Sequence, residues 1–135
     1  MSFEYEDTAS TSASPADVWQ LWADVGSWHR WDSAVQRVAL EGHFAEGAGG
    51  TLCLEGDVEV PFFLEIVEPG SRFLDRITVD DLVIQIDHIV EPAAEGAHIT
   101  VRTTVSGPGA DGVAPRVAAR APTTLNALVQ LAEQP

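Results

Sequence analysis

Apolar residues along this chain recur at two spacings, and the switches between them mark its elements. Residues 3–11 (FEYEDTAST) alternate, with Phe3, Tyr5, Asp7, Ala9 and Thr11 on one side, which is the period of a strand. Ser14 and Pro15 then supply an N-cap and a proline at the first helical position, with Asp17 in the first turn. Val18, Leu21, Trp22 and Val25 follow at helical spacing, predicting an amphipathic helix over 15–25. Gly26 ends it. Ser27 is placed to cap a second short helix carrying Trp28 and Trp31.

From residue 35 the period is that of strands. VQRVALEG ends in Gly42, and the glycine-rich GAGG at 47–50 follows as a loop beside the mouth of any pocket. Leu52 and Leu54 alternate up to a turn at Gly56-Asp57. Val58, Val60, Phe62, Leu64 and Ile66 then share one face. Residues 72–79 and 82–91 predict a hairpin around Asp80-Asp81, with Val79 opposite Leu82, Phe73 opposite His88, and Asp75 opposite Ile86. A further turn leads to Ile99, Val101, Thr103 and Val105, with Arg102 pointing the other way. Alternation confined to one face predicts an antiparallel sheet with one side covered. The cover is the final segment, 113–133, whose Leu125, Leu128, Val129 and Leu131 form an apolar stripe. Pro122 inside it predicts a kink or a two-part helix.

Composition narrows the function. At 135 residues and 45% hydrophobic, the chain suits a single domain over 1–135 with one core. No apolar run reaches the length of a membrane-spanning helix, so no stable membrane insertion is expected. Twenty-one carboxylates face seven arginines, with no lysine, for a net charge of −14. That field repels nucleic acid and anionic membrane surfaces. The acidic start and the single Cys53 suit a cytoplasmic protein in a reducing compartment. The four histidines lack metal-ligand spacing, and nucleophile-elbow, Walker and dinucleotide fingerprints are absent, so neither metal nor cofactor is expected.

Four strings carry a resemblance: SASPADVWQLWAD at 12–24, SWHRWDSAVQRVALEGHFAEG at 27–47, VEP at 67–69, and DHIVEPAAEGAHITVRTTVSGP at 87–108. Together they resemble the START-like superfamily of polyketide cyclase/dehydrase and lipid-transport proteins, also called SRPBCC. The resemblance covers nearly the whole chain. It implies an α+β helix-grip fold, shared with the birch-pollen allergen: a curved antiparallel sheet around a long C-terminal helix, with two short helices near the N-terminus and a deep apolar cavity between sheet and helix. Thr11, where an apolar residue usually precedes the first helix, and Pro122 depart from the pattern.

The implied activity is binding of a hydrophobic small molecule such as a lipid, quinone or polyketide-like compound. The alternative is an aromatase/cyclase-type enzyme. The partner is then a small-molecule ligand, and monomer and homodimer both stay open. The pocket residues expected from strand phase are Tyr5, Phe62, Leu64, Phe73, Ile84, Ile86, Val101 and Thr103, with Trp28 and Trp31 near the entrance. Asp75 and His88 fall on the same inward phase as diagonal neighbours. A carboxylate there would orient the imidazole and raise its pKa, as an acid/base pair requires.

Overall fold

A computed structural model describes residues 2–134. Strand β1 (Ser2–Thr11) leads into helix α1 (Pro15–Ala23), a 3-10 turn (Val25–Ser27) and helix α2 (Trp28–Trp31). Six strands follow: β2 (Val35–Leu40), β3 (Gly49–Leu54), β4 (Val58–Glu68), β5 (Arg72–Val79), β6 (Leu82–Ala93) and β7 (Gly96–Ser106). Helix α3 (Ala110–Ala132) closes the chain. The strands form one antiparallel sheet in the order β1-β7-β6-β5-β4-β3-β2. The two short helices therefore connect its opposite edges.

Local chemistry explains the boundaries. The Ser14 side chain accepts a hydrogen bond from the Asp17 N–H at 3.1 Å, and Pro15 opens α1. Ser27 does not cap α2, as its position had suggested. Its hydroxyl reaches the carbonyls of Leu21 and Asp24 instead, at 3.0 and 2.7 Å, closing the end of α1. Around Asp80-Asp81 the hairpin has the expected register: Val79 faces Leu82, Phe73 faces His88, and Asp75 faces Ile86. Asp80 takes a left-handed φ of 54° there, a conformation Asp tolerates better than most residues.

Two expectations from the sequence need correcting. In β4, Leu64 pairs with Asp75 but Ile66 pairs with Leu74, so Glu65 is an extra residue. This bulge turns Ile66 to the convex face and Val67 to the concave one. Bulges bend and twist a strand, which a sheet curving around a helix needs. Pro122 does not split the C-terminal helix either, and that helix begins at Ala110 rather than at 113. Pro115 and Pro122 are seven residues apart on the exposed side of α3. The carbonyl one turn before each proline, which loses its N–H partner, is thus directed towards water.

Thr11 uses its hydroxyl where an apolar residue was the norm. It donates to the Glu133 carboxylate at 2.8 Å and accepts from the Ala13 N–H at 3.1 Å, tying the end of α3 to the end of β1. Gly96 lets the β6–β7 turn pass beneath this junction: its φ is 141°, and a Cβ there would lie 2.1 Å from the Thr11 carbonyl oxygen.

α3 rests on β1, β7, α1 and α2. Its second half buries Leu125 and Leu128 in a large cluster with Val18, Trp22, Trp28, Leu64 and Phe73. Its first half buries Ala110 and Ala114 in a small cluster with Leu82 and Val105. Where the clusters meet, the concave face carries half-buried Ile77 and Val101 packed on the larger one, Tyr5 and Ile84 packed on the smaller, and half-buried Ile86. Among the described residues no helix is long and apolar enough to cross a membrane.

Candidate functional site

The sequence-predicted site residues fall into two neighbourhoods on the concave side. Phe62, Leu64, Phe73, Trp28 and Trp31 are buried in an aromatic block under α1 and α2. Trp22 and Trp28 hold it together, since the Trp28 Nε1–H donates to the Trp22 carbonyl at 2.8 Å. Tyr5 and Ile84 pack against the small cluster and Val101 against the large one, with half-buried Ile86 and buried Thr103 among them. β1, β6 and β7 bring these five together by register: Tyr5 faces Thr103, which faces Ile86.

Asp75 and His88 stand where the two neighbourhoods meet. Asp75 is flanked across the strands by Leu64 and Ile86. The His88 ring lies flat on Phe73, with centroids 3.9 Å apart and planes 4° off parallel, and Trp22 meets it edge-on at 5.5 Å. His88 Nδ1 and Asp75 Oδ1 are 3.7 Å apart, too far for a hydrogen bond. Both atoms are buried without a hydrogen-bond partner, as are the indole nitrogens of Trp22 and Trp31. A buried polar atom left unpaired costs about 1–3 kcal/mol, so a core that keeps Asp75 and His88 side by side in this state, with the Trp22 ring against His88, is poorly explained as packing alone.

The electrostatics reverse one sequence-based expectation. Burial, not the neighbouring carboxyl, dominates His88 and lowers its pKa to about 4, although nearby backbone carbonyls and Asp87 oppose the shift. Burial likewise raises Asp75 to about 7, with the Asp32 carboxylate pushing the same way. Desolvation disfavours the charged form of each group, and removal of both from water outweighs their mutual attraction. Between these values the contact is a neutral acid beside a neutral imidazole, not an ion pair. Asp32 is itself raised by burial, and its side chain accepts from the Ala34 N–H at 3.0 Å.

Sequence reasoning did not single out Trp22 or Asp32 as site residues. Trp22 was legible only as part of the apolar stripe of α1, and nothing in the local pattern says that its N–H lacks a partner. For Asp32, which follows the short helix, no sequence signal placed it near Asp75. Among the described residues no group of three or more His, Cys, Asp or Glu side chains gathers as a metal site would require. Two clefts of about 490 and 470 Å³ flank the C-terminal end of α3, one lined by Thr11, Glu95 and Glu133, the other by Asp17, Asp24 and Leu131. Both are shallow; the first reaches the concave face only at its Thr11–Ala97 end, and neither is the deep apolar cavity expected between the middle of the sheet and α3. The chemistry points to that face instead, because the unpaired buried groups lie there.

A family model described as polyketide cyclase / dehydrase and lipid transport matches residues 2–133. No curated protein matches the sequence. Among solved structures the chain is similar to Ara h 8.0201, at 16% identity and TM-score 0.79, covering 98% of each chain. It is similar to the di-domain ARO/CYC StfQ from the steffimycin biosynthetic pathway, at 14% identity and TM-score 0.80, covering 98% of this chain and 51% of that one. It is also similar to norcoclaurine synthase from Thalictrum flavum, solved with dopamine and hydroxybenzaldehyde, at 11% identity and TM-score 0.71, covering 97% of this chain and 86% of that one. These likenesses show a shared helix-grip fold.

Proposed function

The chain belongs to the polyketide cyclase/dehydrase and lipid transport family, and from that premise we propose that it binds a hydrophobic small molecule on the concave face of its sheet. The apolar body of the ligand rests on Ile84, Ile86, Val101 and Tyr5, beside α3. Its polar end reaches inward to Asp75 and His88. One observation carries this reading: half-buried apolar surface leads to a group of buried polar atoms that find no partner within the protein. Sites for small molecules have this composition, mostly apolar with a few convergent polar groups. The lone buried Cys53 suits a cytoplasmic binder.

A second reading, aromatase/cyclase-type catalysis, is favoured by Asp75. With a pKa of about 7 it exchanges a proton near neutral pH, and neutral His88 stands 3.7 Å away to take or return one. Aldol closure and dehydration of a poly-ketone chain need such transfers, and the concave face would hold the chain folded.

A thermal-shift panel of quinones, flavonoids, sterols and fatty acids tests the binding reading. Ligand bound to the native state raises the melting temperature by mass action. At least one compound is expected to do so in wild type and to do less in Ile86→Asp. A panel with no effect at all would remove the reading.

A further inference from the structure

Charge is sorted between the two faces of the sheet. On the convex face Arg72 pairs with Asp87, Arg76 with Glu65, Arg102 with Glu6, and Arg37 with Glu59. On the concave side stand the carboxyls of Asp7 and Asp75, with Asp32 near the latter. No arginine of the sheet points that way; Arg30, Arg116 and Arg120 in the helices are exposed, and of these Arg120 is near enough to Asp32 to favour its charged form.

The unpaired atoms impose a second condition. The indole N–H of Trp22, whose ring meets that of His88 at 5.5 Å, can only donate, so it calls for an acceptor. Asp75 Oδ1 and His88 Nδ1 each need a donor or an acceptor according to where their protons sit.

We propose that the concave site is selective for ligands with a neutral, oxygen-bearing head, such as a phenol, alcohol or ketone, and rejects carboxylate-headed lipids. This rests on reading the concave face as the ligand site. A neutral oxygen accepts from the Trp22 indole, and a hydroxyl also donates. A carboxylate could accept equally well, but its charge would be buried beside Asp75, with Asp32 near, and Arg120, the arginine that acts on Asp32, is exposed on α3. An ammonium would find carboxyls but brings no acceptor for the Trp22 indole. Asp75 is the residue that sets this preference.

Three probes of one shape separate the cases: 2-naphthol, 2-naphthoate and 2-naphthylmethylamine, titrated calorimetrically into the full chain near neutral pH. The expected order puts 2-naphthol first and 2-naphthoate roughly tenfold weaker or worse, a difference of about 1.4 kcal/mol. Asp75→Asn keeps the hydrogen-bonding groups but cannot ionise, so the gap between the two should narrow several-fold. Asp7→Asn, at a half-buried position on β1, gives a smaller narrowing and serves if the first variant does not fold. Equal or tighter binding of 2-naphthoate or the amine would overturn the head-group preference while leaving the ligand site in place. An unchanged gap in a folded Asp75→Asn variant would overturn the role of Asp75. Failure of all three probes to bind would take down the ligand site itself.

Discussion

The β5–β6 hairpin carries an acid and a base on each of its faces, and the two pairs are built in opposite ways. On the convex face, Arg72 holds Asp87 through two hydrogen bonds of 2.8 and 2.9 Å, in contact with water. On the concave face, His88 and Asp75 stop 3.7 Å apart, buried and unpaired. The same two strands thus satisfy their polar groups outside and leave them unsatisfied inside. The outer pair ties the hairpin together. Its inner counterpart costs stability, and buried polar groups are tolerated at such a cost mainly where they serve binding or chemistry.

The largest effect that would sharpen this contrast comes from the ring beneath His88. Phe73 is fully buried and stacks on the imidazole, so Phe73→Ala should destabilise the fold by about 3–5 kcal/mol in urea unfolding. A loss below about 1 kcal/mol would mean that the aromatic block is not packed as described.

pH separates the two inner groups next. Folded Asp75 keeps its proton up to about 7, whereas an unfolded Asp loses it near 3.8. The unfolded state then binds fewer protons, and this term lowers stability as pH rises through that window. Folded His88 stays neutral down to about 4, whereas an unfolded His charges below 6.5. This term lowers stability as pH falls. In wild type the two largely offset each other between about 4 and about 6.5. Removing one exposes the other: His88→Asn should lose stability as pH rises across that range, and Asp75→Asn should gain it. The difference between the variants should change by a few kcal/mol in order of magnitude across the window. Parallel stability–pH curves for the two variants would show that neither group is desolvated.

Ligand affinity should respond less. His88→Asn removes one polar contact at the inner end of the site, worth roughly 0.5–1.5 kcal/mol, so a compound found by the thermal-shift panel should bind several-fold more weakly. Unchanged affinity in a well-folded variant would take His88 out of the site. The smallest effect belongs to the outer pair. Arg72→Ala should cost about 1 kcal/mol or less, because the pair is partly solvated, and should leave ligand affinity unchanged.

Much of this comparison was legible in the sequence. Period-two alternation and the Asp80-Asp81 turn give the hairpin register, and register alone puts Asp75 and His88 on one face and Arg102 on the other. The bulge at Glu65 was not legible, because one inserted residue leaves the apolar run VPFFLEIV reading as continuous alternation. The two-part alternative for α3 failed because the cost of a helical proline depends on which side of the helix faces water. The direction of the His88 shift was missed because a neighbouring acid is visible in a pattern, whereas the depth at which both are buried depends on Trp22 and Phe73 closing over them.

Isoleucine methyl NMR tests the central claim most directly. Ile77, Ile84 and Ile86 lie on the concave face, Ile66 and Ile89 on the convex face, and Ile99 is fully buried in the larger cluster. Titration with 2-naphthol should shift the Ile77, Ile84 and Ile86 methyl signals and leave those of Ile66 and Ile89 in place. Shifts confined to Ile66 and Ile89, or no shift at any isoleucine at saturating probe, would contradict a ligand site on the concave face.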